Sequence, residues 1–333
     1  MRFPCTRGNR VIVASLITSI CGVFLALRPP SHTDFSLIRF GAQALLQGAN
    51  PYYLVGHGRV FDSDWTALYP ATAYVLGIPF TLLADRAASI AFVVPSVFLL
   101  AYGVTRDGWQ RLPILMSAAF IWSVILAQWT IILTAVVFLP WVAVVAAAKP
   151  NQAIPVVLGS ERPSVAIRAS LFGGVLLLAI SLVFLPGWPL DWLRLVRQAS
   201  QLQPPILGFG GFLVLAVLWR WRERDARLIL LMAVVPQMWL PYSTLPLLSV
   251  AKTLRESLVL AIVTSIGALL PNFFTKDFHT PEMVRLGRMI VVATAYLPAV
   301  VMVLRRPNPG TPPSESEGPP ARMKLSCRVL PTL

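Results

Sequence analysis

The sequence predicts an all-α fold, a polytopic transmembrane helical bundle, and three observations predict it. Of 333 residues, 56% are hydrophobic and only 13% are charged, where a soluble globular chain carries about 25% charged residues. Mean hydropathy is +0.70. Apolar runs close to the roughly 20 residues that a bilayer requires recur along the chain. The net charge of +14 sits in short loops between those runs. There it sets orientation and meets membrane lipids, and no nucleic-acid partner follows from it. Cys5, Cys21 and Cys327 form no C-x-x-C pattern, so neither a disulfide framework nor a metal site is read. No cofactor is implied.

Taken in order, the expected spans lie at about 11–27, 66–84, 88–104, 112–127, 130–148, 168–186, 206–220, 226–239, 257–271 and 288–304. Shorter apolar pieces at 150–159 and 240–251 read as broken or re-entrant helices, giving ten to twelve crossings. Arg2, Arg7 and Arg10 place the N-terminus in the cytoplasm, as Arg305 and Arg306 place the C-terminus. Strict alternation then leaves Arg106 and Arg111 outside, against the positive-inside tendency. Two outward segments hold amphipathic surface helices, one at 35–47 and one from Gly187 through Arg197. The expected domains are a membrane unit at 1–306 and a disordered cytoplasmic tail at 307–333, rich in Pro, Ser and Glu.

Asp34 follows the first span at the expected water–lipid boundary. It has two readings there, a cap on the first amides of helix 35–47 and a general base. Gly48 is a natural helix stop, and Asn50-Pro51-Tyr52-Tyr53 is a turn that anchors the interface or walls a cleft. Tyr69-Pro70 opens the second span. Gln128, between two apolar stretches, glues helices or serves a site. Lys149-Pro150 puts a cation at the end of an apolar stretch, where it snorkels or binds phosphate. Pro236-Gln237-Met238-Trp239-Leu240-Pro241-Tyr242 implies irregular backbone around a cavity.

Read in order, these motifs resemble the GT-C superfamily of membrane glycosyltransferases, most closely glycosyltransferase family 87. The residues that carry the resemblance are Asp34-Phe35, Gly48-Ala49-Asn50-Pro51-Tyr52, Tyr69-Pro70-Ala71, Ala127-Gln128, Lys149-Pro150 and Pro236–Ser243. They cover about residues 10–250. Ala71 stands where the family has a second proline, and Ala127 where it has a glycine. The resemblance implies transfer of a sugar, typically mannose or arabinofuranose, from a polyprenyl-phosphate donor to a cell-envelope lipid or glycan acceptor. Transfer would be inverting and on the outer side of the cell membrane. Asp34 would be the base. Arg39, Asn50, Tyr52, Tyr69, Gln128, Lys149, Gln237 and Tyr242 would meet the substrates. Lys149 or Arg39 would stabilise the leaving phosphate. The rival readings are a transporter or lipid flippase built around broken helices, and an inactive relative of the enzymes.

Overall fold

The computed structural model describes residues 5–29, 32–63, 66–199, 202–270 and 280–307. The expected tail beyond 307, with Cys327, lies outside them. The described residues form helices without a strand. In chain order these are α1 (Arg7–Leu27), α2 (Asp34–Leu46), α3 (Pro51–Leu54), α4 (Ala71–Gly77), α5 (Asp85–Val104), α6 (Ala118–Ile125), α7 (Thr130–Val136), α8 (Pro150–Leu158), α9 (Pro163–Phe184), α10 (Trp188–Gln198), α11 (Arg224–Val234), α12 (Leu245–Leu248), α13 (Leu254–Leu269), α14 (Pro281–Val291) and α15 (Leu297–Leu304). Stretches of 3₁₀ helix cover Ile78–Leu82, Leu112–Met116, Pro140–Ala148 and Gly211–Arg220, and a π turn at Val292–Tyr296 joins α14 to α15.

Four of these rods are long and apolar enough to cross a bilayer: α1, α5, α9 and the continuous Pro281–Leu304. The ten to twelve expected crossings therefore reduce to four helices that meet the requirement alone. The expected spans at 66–84, 112–127, 130–148, 206–220 and 226–239 are shorter α and 3₁₀ pieces instead. In 130–148 the apolar side chains face protein, with Leu133, Ala135 and Val136 fully buried, whereas in 206–220 Phe209, Phe212 and Trp219 are exposed. On α9, Leu171, Phe172 and Val175 are 63–70% exposed, as a lipid-facing helix requires.

Helix α1 begins at Thr6, whose hydroxyl accepts the Asn9 amide. Ala14, Thr18, Cys21 and Leu25 are its buried stripe, and the helix packs along α5. Arg10 Nη2 donates to Tyr102 O at 2.7 Å, and Arg86 Nη1 donates to Ala26 O at 3.1 Å. The two helices are thus antiparallel, and the chain enters α5 at the end of the pair where α1 stops.

This geometry corrects the expected placement of Arg106 and Arg111. Because 66–84 does not cross, α5 returns the chain to the end where α1 began. Cys5 Sγ lies 3.2 Å from Thr105 O there, and Arg106 pairs with Glu161, which also meets Arg224. Asp225 at that end binds Arg306 Nη1 at 2.6 Å, Arg224 Nη2 at 2.9 Å and Lys252 Nζ at 3.5 Å. Burial opposes ionisation of the Asp225 carboxyl, but Arg224, Arg306 and Lys252 outweigh it and hold the group below its ordinary range.

At the other end α2 packs against α4. Gly41 makes this possible: a Cβ there would lie 2.5 Å from the Tyr74 ring. Phe35, Ile38, Ala42 and Leu45 are buried. The expected surface helix is therefore seated on protein along one face.

Candidate functional site

The cap of α2 is Thr33 rather than Asp34. Thr33 Oγ1 accepts the Ser36 amide at 3.1 Å, and Ser36 Oγ accepts the Thr33 amide at 2.9 Å, a reciprocal capping box. The capping reading of Asp34 is thereby removed, and its carboxylate is free to point elsewhere. It points at Tyr69 and Gln128. Tyr69 Oη donates to Asp34 Oδ2 at 3.0 Å, and Gln128 Nε2 donates to the same oxygen.

Gln128 reaches this carboxylate from a turn of unusual backbone. Ala127 has φ of 48° and is the one non-glycine residue with positive φ among those described. An L residue there costs roughly 1–2 kcal/mol. The turn ends α6, with the Gln128 amide donating to Ser123 O at 2.8 Å, and buries the glutamine completely. Its amide can satisfy its neighbours in one orientation only. The NH₂ faces the carboxylate, and Oε1 accepts from Lys149 Nζ at 2.9 Å. Gln128 thus bridges an acid and a base.

Lys149 stands where the Pro140–Ala148 stretch gives way to α8. Thr72 Oγ1 donates to Ala147 O at 2.6 Å and fixes that corner to α4. The ammonium lies 5.0 Å from the Tyr242 ring centroid and 5.6 Å from that of Tyr69, within cation–π range. Burial lowers the Lys149 ammonium to about 8, and the Asp34 carboxylate opposes that shift. Burial likewise raises the Asp34 carboxyl, opposed by Lys149 and by the hydrogen bonds from Gln128 and Tyr69.

Most of these groups lie in the wall of a cavity of about 540 Å³. Asp34, Tyr69, Lys149 and Tyr242 line it, and Gln128 lies behind them. Its walls are mostly apolar, including Leu37, Phe61, Ile154, Val196, Met238 and Leu240, with Asp62, Ser63, Thr66 and Asn151 among the polar ones. Helix α10 closes one side: Trp192 lines the cavity and donates Nε1–H to Leu68 O at 2.9 Å. The segment at 236–242 closes another. Gln203 and Gln237 pair their backbones in antiparallel fashion, so neighbouring side chains alternate. Pro236, Met238 and Leu240 enter the cavity, while Trp239 packs on Met283 and Val284 of α14.

The remaining expected site residues lie elsewhere. Gln237 is buried, its Nε2 donating to Met232 O at 2.8 Å, and it does not line the cavity. Arg39 donates Nε–H to Leu83 O at 2.8 Å on the exposed side of α2. Asn50 caps α3 by accepting the Tyr52 amide, and donates Nδ2–H to Asp191 Oδ2 at 2.8 Å, which ties α3 to α10. Tyr52 sits one layer behind, its hydroxyl donating to Tyr69 O at 3.2 Å. Sequence reasoning missed Thr33, Trp192 and Asn151. Thr33 had a signal in Thr33-x-x-Ser36. Trp192 lies in the segment expected as an amphipathic surface helix, a pattern that does not distinguish a lipid contact from a cavity wall.

Among the described residues no group of three His, Cys, Asp or Glu is placed to hold a metal ion. No protein-family model, curated protein or solved structure matches this chain. The likeness to the membrane glycosyltransferases accordingly rests on the motif residues themselves.

Proposed function

We propose that this protein is a membrane glycosyltransferase that moves a sugar from a polyprenyl-phosphate donor to a hydroxyl-bearing acceptor. One observation carries the reading. A part-buried acid, Asp34, is joined through the buried amide of Gln128 to the buried ammonium of Lys149, and the acid and the ammonium line a largely apolar cavity. His32 and Thr33, which follow α1, are part of its lining. A lipid-linked sugar phosphate has the matching form, an apolar chain joined to an anionic head.

The chemistry is a single displacement. The acceptor oxygen forms a bond to the anomeric carbon as the bond from that carbon to the phosphate oxygen breaks. The electron pair leaves with the polyprenyl phosphate, and the acceptor proton goes to an Asp34 oxygen. Inversion at the anomeric carbon follows. Burial raises the basicity of Asp34, which suits a general base better than an ordinary carboxylate does. Lys149 supplies the charge that the departing phosphate needs. Tyr69 and Gln128 hold the carboxylate in one orientation, so it does not have to be organised during the reaction.

The test is sugar transfer by purified protein in lipid discs, given labelled polyprenyl-phosphate mannose or arabinofuranose and envelope lipid extract. Labelled product that depends on the protein supports the reading. Movement of the intact donor between leaflets, with no product, would replace it with lipid transport.

A further inference from the structure

A second, smaller cavity of about 210 Å³ lies between the C-terminal end of α1 and the N-terminal end of α5. It shares His32 and Thr33 with the larger one. Its lining includes Arg28, Arg86, Asp85 and Ser89 over an apolar floor of Leu25 and Ile125. Nothing in the transfer chemistry above uses it.

Both guanidinium groups are anchored from behind. Arg28 Nη1 donates to Ile125 O at 2.8 Å, and Arg86 Nη1 donates to Ala26 O at 3.1 Å. Each anchor occupies one donor of five and leaves the rest of the fork available. Neither arginine has an ion pair with a carboxylate among the described residues. Asp85, the one carboxylate in the lining, accepts the Ser36 hydroxyl at 2.7 Å. Thr33 and Ser89 hydroxyls lie 3.0 Å apart on the same wall. Arg28 and Arg86 against the single charge of Asp85 leave a net positive balance in the lining.

Depth identifies the source of that anion. α1 has 21 residues and so spans about 31 Å, close to the hydrocarbon thickness of a bilayer. Arg28 immediately follows its last turn, which sets the pocket at the level of lipid headgroups. The exposed apolar face of α1, with Ile20, Val23 and Leu27, runs down from it as a surface for acyl chains.

We propose that this pocket binds the phosphodiester headgroup of a membrane phospholipid, held between Arg28 and Arg86 beside the larger cavity. Two planar forks suit the oxygens of one phosphate group. The assignment stands whether or not the larger cavity transfers sugar.

The experiment is native mass spectrometry of the full chain in detergent, given phosphatidylglycerol or diacylglycerol with the same acyl chains. The wild type should retain one phosphatidylglycerol and no diacylglycerol. Arg28→Gln and Arg86→Gln should each lower retention about tenfold, the loss expected for one charge-assisted contact. Because both anchors also hold the α1–α5 corner, Arg28→Lys and Arg86→Lys serve as the fold control. They keep the charge and should retain part of the binding. Equal retention of both lipids, or unchanged retention in both glutamine variants, would overturn the proposal. Displacement of the lipid by an equal concentration of inorganic phosphate would also overturn it, since the free ion would then be the ligand.

Discussion

Substitution of Lys149 by glutamine separates a phosphate-binding cation from a side chain that merely finds a polar contact. Among the described residues Lys149 Nζ has one close partner, Gln128 Oε1 at 2.9 Å, and two aromatic faces at 5.0 and 5.6 Å. Removing it takes away the charge that would offset the leaving phosphate. A lost electrostatic contact of this kind costs about 3 kcal/mol of barrier, or roughly 150-fold in rate. Lys149→Arg keeps the charge but not the compact geometry, so its rate should fall between those of wild type and Lys149→Gln.

The pH profile adds a sharper signature. Burial lowers the Lys149 ammonium to about 8, so kcat/KM should fall as pH rises through about 8 and the cation is lost. The Asp34 carboxyl is raised from its ordinary value by burial, so the acidic limb should lie above the usual carboxylate range. In Lys149→Gln the basic limb should vanish. The acidic limb should move to higher pH, because the ammonium that favoured the Asp34 anion is gone. The assay is initial rate of labelled-sugar transfer across pH at low donor concentration. A basic limb near 8 that survives in the glutamine variant would refute the assignment.

Three further outcomes follow from the packing. Ala127→Gly should leave thermal stability unchanged or raise it by up to about 1 kcal/mol, whereas Ala127→Val should cost about 2 kcal/mol, because a β-branched residue resists positive φ; denaturation midpoints in detergent report both. Gly41→Ala should destabilise by roughly 1–3 kcal/mol, since its methyl would meet the Tyr74 ring; a midpoint equal to wild type would show that α2 and α4 pack differently. Asp225→Asn should cost about 3 kcal/mol, chiefly by leaving the largely buried Arg306 without its carboxylate, since Arg224 keeps Glu161 and Lys252 is half exposed. The folded-state pKa of Asp225 is depressed, so its contribution is present above the ordinary carboxylate pKa and is lost as pH falls through the folded value; a variant whose stability matches wild type at neutral pH would contradict this.

The sequence reads well where a residue's chemistry is local. The stop at Gly48, with φ of 70°, and the Asn50-Pro51 turn that opens α3 are as the residue types require. Hydropathy reads less well, because it reports exclusion from water and not what does the excluding. Residues 130–148 and 168–186 look alike as apolar runs, yet Leu133 is wrapped by protein while Val175 is 67% exposed. For the same reason 66–84 read as a crossing, and its loss reversed the side on which Arg106 falls. At the site, Asp34, Tyr69, Gln128, Lys149 and Tyr242 converge through contacts such as that of Gln128 with Asp34, 94 positions apart in the chain; no periodicity encodes such contacts. Gln237 shows the converse. It stands in a motif but on the alternate face of an extended segment, which hides it from the cavity.

The proposed transfer requires the Asp34 carboxylate to remove the acceptor proton, and Asp34→Asn probes that step with little other change. Thr33 holds the cap of α2, so the helix does not depend on the charge at position 34. Asparagine also keeps the shape and an oxygen to accept from Tyr69 or Gln128. Labelled-sugar transfer should be measured in lipid discs containing equal amounts of folded protein. A general base at this position predicts a loss of about 100-fold or more, with donor binding retained. Transfer by Asp34→Asn at the wild-type rate would contradict it.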